Sequence, residues 1–287
     1  MPWTFSAFTD EAGSPIDAQI AACKRGGLKF TDLRNVNKHN ITALPLDDAK
    51  AVQKQLAAAG VTVNMYGSPI GKIDVADDVQ SDLDRLAHLG ELSKVFGCKA
   101  VRIFSYYNKK AKLPKDQWKA KAIENLRRLM DVADKHGLSL YHENESEIFG
   151  DHPDDVLELA ELRGERFKLI YDFANYIRTG VGGWQTWQMF RDKTDAFHFK
   201  DQRKSGEHTP MGQGETDAPR ILADAVAMKW TGPCTLEPHL KHSGVVLATH
   251  ASGTGMESLK DRSEADIFQI AVDAAKNLMT QVGASYH

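Results

Sequence analysis

The chain has 287 residues, of which 42% are hydrophobic and 26% charged, a globular composition with enough apolar material for a full core. That excludes a disordered, collagenous or mini-protein chain. The net charge of -3 and a pI near 6.4, without a basic stripe, argue against a nucleic-acid partner, and no run of about 18 apolar residues offers a membrane span.

The three cysteines, Cys23, Cys98 and Cys234, are odd in number and widely spaced. They read as small buried hydrophobes, neither a disulfide framework nor a CxxC metal site. The first residues, MPWTFSAFTDEAG, have no basic n-region and no apolar h-region. The expected location is therefore a reducing cytoplasm.

Phe5–Phe8 is the first predicted strand, and Ser14-Pro15 opens the first helix, with Ser14 as N-cap and Pro15 at the first helical position; Gly26-Gly27 closes it. Lys29–Leu33 is the second strand, followed by a helix over Leu46–Ala59 that ends at Gly60. Val61–Tyr66 is the third, and the helical segment from Val75 to Phe96 ends at Gly97. After the fourth strand, Ala100–Phe104, Asp116 opens a helix through Ile123, Leu126, Leu129 and Val132 that stops at Gly137. Leu138–His142 is the fifth strand, and a helix over Asp154–Leu162 stops before Gly164. Phe167–Tyr171, Ala196–Phe199 and Cys234–Leu236 are the sixth, seventh and eighth strands, with a helix over Asp217–Met228 before the last. Ser258–Val282 supplies a long terminal helix. Strand starts lie roughly 25 to 40 residues apart, room for one βα crossover each. The pattern predicts a single-domain (β/α)8 TIM barrel over residues 1–287. A doubly wound sheet is less attractive, because neither GxGxxG nor GxxxxGK[ST] occurs.

In such a barrel the active site lies at the C-terminal ends of the strands. The fifth strand runs into Glu143, the sixth into Asp172, the seventh carries His198 and the eighth runs into Glu237. Carboxylate, carboxylate, imidazole and carboxylate on four consecutive strand ends form a candidate metal site. An oxygen-rich set favours Mn, Mg or Co over Zn, and a cation also answers the repulsion among closely spaced acids. Glu145 and Glu147 could face solvent or support the ligands, and Asp201 could orient His198 or Lys200. Asp10 and Glu11 read as caps for the helix at Ser14. His142 precedes Glu143 and alternation aims it at the other face. Asp151, His152, Asp154 and Asp155 read as a helix start.

These residues resemble a known family. Tyr141-His142-Glu143-Asn144-Glu145, Tyr171-Asp172-Phe173-Ala174-Asn175, His198-Phe199-Lys200-Asp201, Gly212-Gln213-Gly214-Glu215 and Leu236-Glu237-Pro238-His239, with Ser68-Pro69-Ile70-Gly71-Lys72 upstream, are similar to the xylose isomerase-like TIM-barrel superfamily. That group holds sugar phosphate isomerases and epimerases, ketose 3-epimerases, inosose dehydratase and endonuclease IV. The resemblance implies one divalent metal held by Glu143, Asp172, His198 and Glu237. It also implies that Glu143 and Glu237 exchange protons with the substrate. Taking a proton from carbon beside a carbonyl needs a Lewis acid to stabilise the enediolate and paired carboxylates to move the proton.

Lys72, Arg102, Asn175, Lys200 and His239 are candidate substrate contacts at or beyond strand ends, and Arg34 could pair with any of the acids. Trp3, Phe8, Tyr66, Phe104, Tyr106 and Tyr107 could wall a sugar pocket. Some ketose 3-epimerases have a histidine where this chain has Asn175, and the first four strand ends lack the histidines of a three-zinc endonuclease. The expected function is therefore a metal-dependent isomerase or epimerase of a small, unphosphorylated sugar or keto-sugar. The alternative is a lyase, dehydrating or hydrating a keto-polyol with the same groups. The terminal helix and the loop Lys241–Gly255 could form a lid or a homodimer contact.

Overall fold

The computed structural model describes residues 2–241 and 254–287, so the loop expected to serve as lid or dimer contact lies almost wholly outside the described residues. In chain order the main elements are β1 (Thr4–Ala7), α1 (Ile16–Gly26), β2 (Phe30–Leu33), α2 (Leu46–Ala58), β3 (Thr62–Tyr66), α3 (Gln80–Phe96), β4 (Ala100–Ile103), α4 (Lys115–His136) and β5 (Ser139–Glu143). They continue with α5 (Pro153–Ala160), β6 (Phe167–Asp172), α6 (Phe173–Ile177), α7 (Gly183–Phe190), β7 (Ala196–Phe199), α8 (Ala218–Ala227), β8 (Pro233–Leu236) and α9 (Glu264–Gln281).

The eight strands form one parallel sheet in the order β1-β8-β7-β6-β5-β4-β3-β2. Among the described residues β1 and β2 share no strand ladder, so the single-domain TIM barrel is nearly closed. Side chains stitch that seam: Thr9 Oγ1 lies 2.7 Å from Thr31 Oγ1, and Ser6 Oγ donates to Asp32 Oδ1 at 2.5 Å.

The strand pleat decides what reaches the centre. In β7, Phe197 and Phe199 stack into an aromatic layer with Phe173, and Phe197 also meets Trp230 at a centroid distance of 4.5 Å. His198, between them, points the other way and meets Phe8 edge to face. In β5, His142 stacks on Phe167 at 6.0 Å and contacts Ser105 Oγ, so Glu143 faces the interior. Below the acids, Ile170 and Ala196 pack with Met65 in a small buried cluster apart from the main core.

Several element ends differ from expectation. Ser14 does not cap α1; its hydroxyl donates to Asn37 O, and Pro15 occupies the cap position. The third helix starts at Gln80, because Asp74 accepts N–H groups from Ala76, Lys110 and Ala111 and holds the preceding residues in a loop. Ser258 lies in a short 3-10 turn, and α9 begins after Ser263, whose hydroxyl accepts from Asp266 N. The helices α6 and α7 between β6 and β7 were not expected at all.

Candidate metal centre

Four strand ends deliver Glu143, Asp172, His198 and Glu237 to one place. All four are buried, and one potential ligand atom from each lies within 4.8 Å of the others. Each carboxylate has one oxygen anchored. Glu143 Oε2 accepts from Arg102 at 3.1 Å, Glu237 Oε1 from Arg34 at 2.9 Å and Arg102 at 3.3 Å, and Asp172 Oδ1 from Asn175 N at 2.8 Å. The other oxygens face His198 and Lys200. Glu143 Oε1 is 3.1 Å and Glu237 Oε2 is 3.6 Å from His198 Nδ1, while Lys200 Nζ lies 2.8 Å from Asp172 Oδ2 and 3.4 Å from Glu237 Oε2.

Among the described residues, neither ring nitrogen of His198 makes a hydrogen bond of acceptable geometry, although both are buried. A buried imidazole that faces carboxylate oxygens without a well-formed hydrogen bond to them fits a divalent cation bound through oxygen and nitrogen. Burial opposes charge on all four residues. It drives the Asp172 carboxyl above the usual carboxylate range, with Lys200 pulling the other way. For Glu143 the pull of His198 and Arg102 outweighs burial and holds it below that range; Lys200 and His239 do the same for Glu237. In turn the two glutamates raise His198 against burial, to about 9.

Around this cluster lie the other expected residues. Glu145 does not join the ligands; despite burial, Lys72, Lys200 and Arg178 hold it down at about 2. Lys72 Nζ meets Glu145 at 3.0 Å and rests over the Phe104 ring. The Asn175 amide donates to Asn144 O at 2.8 Å, and its Oδ1 accepts from Arg178. Asn144 in turn bonds the Asp172 backbone, so this pair braces β6 against β5. Asp201 orients neither His198 nor Lys200. It accepts from Thr216 Oγ1 and from the backbone of Gly212 and Gly214, and so folds the Gly212–Glu215 loop. Phe8 and Phe104 do flank the site, with Arg34 and Arg102 over Phe8, whereas Trp3 packs on Trp230.

Asp10 and Glu11 do not cap α1. Asp10 takes both Nε and Nη2 of Arg34, and Glu11 binds Arg34 and His239. The signal for Arg34 was its place directly after β2. No local pattern announces Glu11, whose partner is 228 residues away.

Residues 20–265 match the family profile described as xylose isomerase-like TIM barrel. The chain belongs to this family. No curated protein matches it. Among solved structures, D-allulose 3-epimerase from Methylomonas sp. superposes with a TM-score of 0.74 at 13% identity, over 96% of this chain and 98% of that one. The probable 3-DHS dehydratase AsbF from Bacillus anthracis gives 0.71 at 14% identity, over 96% and 99% of the two chains. IOLI protein, solved with a zinc atom, gives 0.72 at 13% identity, over 98% and 99%. At these identities the likeness establishes the fold.

Proposed function

We propose that this barrel, acting as one unit over residues 1–287, is a divalent-metal-dependent isomerase or epimerase of a small sugar or keto-sugar. The carrying observation is the buried set of three carboxylates and one imidazole that makes no well-formed hydrogen bond among the described residues, with both glutamates oriented by arginine. Glu143, Asp172, His198 and Glu237 would hold the ion, with Mn, Co or Mg favoured over Zn by the oxygen-rich set. When bound, such an ion supplies Lewis acidity to a carbonyl and the hydroxyl beside it.

The protein's own work is proton movement and orientation. Glu143 and Glu237 exchange the carbon-bound proton, one removing and the other returning it. Arg102, bonded to both, fixes the spacing between them. Lys200 and His239 approach the substrate from beside the ligands, Lys72 and Arg102 from the β3 and β4 ends, and Asn175 from the start of α6. The carbon acid is deprotonated only where these groups exclude bulk water, which strengthens each charge interaction.

The test is metal analysis, then incubation of the Mn-, Co- or Mg-loaded protein with a panel of ketoses and 3-keto-sugars in deuterated water. A product of unchanged mass that carries deuterium next to the carbonyl supports the reading. Glu237→Gln and Glu143→Gln should each lose ~10²–10⁴-fold in kcat while still binding metal. Full activity in either variant would remove that residue from the proton-transfer pair. The likeness to AsbF favours a second reading, a dehydratase using the same residues, and loss of water from the product would select it.

A further inference from the structure

A cavity of about 750 Å³ opens on the strand-end face, and proton exchange by the two glutamates makes no use of it. One wall is the connection from β6 to β7, with Ile177 and Gly182. The other is the segment after β7, with Lys204 and Glu215, and the start of α8, with Asp217 and Arg220. The volume falls within the ~300–1,000 Å³ of small-molecule sites. Both walls start at the four-residue cluster. Asp172 caps α6, which ends at Ile177, and Asp201, one residue beyond Lys200, holds the backbone of Gly212 and Gly214.

The walls are pinned. Tyr171 Oη donates to Gly183 O at 3.0 Å, Trp184 N to Asp217 Oδ2 at 3.0 Å and Lys204 N to Glu215 Oε2 at 2.8 Å. Asp217 holds a φ of 60° there, which a non-glycine residue keeps only where its surroundings fix it. Gly182 is the contrary case. Its φ of -61° and ψ of 143° are open to any residue, and an added Cβ would meet no atom within 4 Å. Neither backbone nor packing calls for glycine at this lining position. A side chain would only take up space that the fold leaves open.

Charge selects the occupant. Glu215 and Asp217 each give one oxygen to a backbone N–H and keep the other for a donor. Among the described residues, Lys204 and Arg220 form no ion pair with an acid, and the Arg220 guanidinium lies 3.8 Å from the centroid of the Trp184 ring. The two acids repel an anion such as phosphate, and the two bases repel a cation. A hydroxyl both donates and accepts, so neighbouring hydroxyls satisfy a carboxylate and a base at once.

We infer that this cavity binds a neutral sugar unit. In the reaction that unit is the part of the substrate remote from the reacting carbonyl, and to this extent the inference rests on the proposed function. The binding itself does not, so it is measured first, on metal-free protein.

In ¹⁵N-labelled protein, titration with maltose, cellobiose and trehalose should give saturable shifts of the Gly182 amide and the Trp184 indole for at least one of them. Glucuronate and glucosamine, one anionic and one cationic, should give none. Gly182→Leu should weaken the binding by roughly tenfold or more, as overfilling a packed site does. If that variant does not fold, Lys204→Met, at the exposed rim, should weaken it about tenfold by removing a charged donor. No shift with any neutral disaccharide overturns the inference, as does equal binding of glucuronate or wild-type affinity in the variant. With metal added, a 3-keto-disaccharide should be turned over with a higher kcat/KM than 3-keto-glucose, and Gly182→Leu should lose that preference. Equal kcat/KM values in wild type would overturn the cavity's part in the reaction. Sugar binding with no turnover of any substrate fails the proposed function and leaves the site standing, whereas turnover without sugar binding does the reverse.

Discussion

Lys200 shows how much of the site depends on single charges. Its ammonium is buried and reaches Asp172, Glu237 and Glu143 at 2.8, 3.4 and 3.9 Å. Lys200→Met leaves those carboxylates with one cation fewer, and breaking a buried pair in this way costs about 3–5 kcal/mol. The metal-free variant should therefore melt well below wild type, and added Mn²⁺ should raise its Tm more than that of wild type. An equal response would mean that the ammonium and the cation do not serve the same carboxylates. Asp32, at the barrel seam, tests the opposite situation. Burial raises its carboxyl, although Ser6, Thr235 and Asn64 donate to it. An acid whose pKa is raised by folding binds its proton more tightly when folded, so stability falls as pH climbs from the unfolded pKa through the folded one. Asp32→Asn cannot ionise. Relative to wild type its Tm should be lowest at pH 4 and improve toward pH 7, which scanning calorimetry at several pH values would show. The four metal-site candidates were legible because each ends or closely follows a strand-like run, such as Leu169-Ile170-Tyr171 before Asp172. Arg34 was read as a partner for the acids, but its choice of Glu237 and the pairing of Glu11 with His239 were not legible, since partners more than 200 residues apart leave no local periodicity.

At the scale of elements, the strands were readable because β-branched and aromatic runs are bounded by glycine and polar turns. The segment from Phe173 to Phe190 was not, because Gly180, Gly182 and Gly183 interrupt any helical pattern. There tertiary packing overrides weak propensity: Trp187 in α7 packs on Tyr171 and Phe197, and Tyr176 in α6 stacks on Phe190. The start of α3 was misread for a related reason, since bonds to Asp74 from the backbone of distant Lys110 and Ala111 outweigh the helical signal of Val75 and Val79. The loop after β3 shows what glycine does for the site. Gly71 has a φ of 86°, and an added Cβ would stand 2.1 Å from the Phe104 carbonyl oxygen. Its N–H donates to buried Asp82, so the loop cannot simply swing away. Gly71→Ala combines a forbidden backbone region with a backbone clash and should cost roughly 2–4 kcal/mol in urea unfolding. It should also weaken substrate binding through its neighbour Lys72. A loss under about 0.5 kcal/mol, the usual range for a neutral surface change, would show that the loop relaxes freely.

For the whole molecule, a nearly closed barrel concentrates charge at one end. Eight strands each deliver one end to the same face, and the sheet's alternation sends apolar residues such as Phe197 and Leu140 to the helices. Polar residues left on the inner face have no solvent to dilute them, so Glu143, Asp172 and Glu237 must be compensated by partners within reach. Arg34, Arg102 and Lys200 supply part of that compensation, but among the described residues His198 keeps both nitrogens without hydrogen bonds. The native fold therefore carries an unmet interaction that the unfolded chain, in water, does not. A ligand that satisfies it binds the folded state alone and stabilises it by linkage, about 2.7 kcal/mol at a hundredfold excess over Kd. For a chain of 287 residues that corresponds to a rise in Tm on the order of 4–5 °C. Mn²⁺ added to chelator-treated protein should produce this rise, and excess chelator should reverse it. His198→Ala and Asp172→Asn should abolish the response, whereas Asp201→Asn should keep it, because Asp201 only folds the Gly212–Glu215 loop. A response that survives both ligand substitutions would place the cation elsewhere on the protein, and the proton-transfer assignment of Glu143 and Glu237 would fall with it.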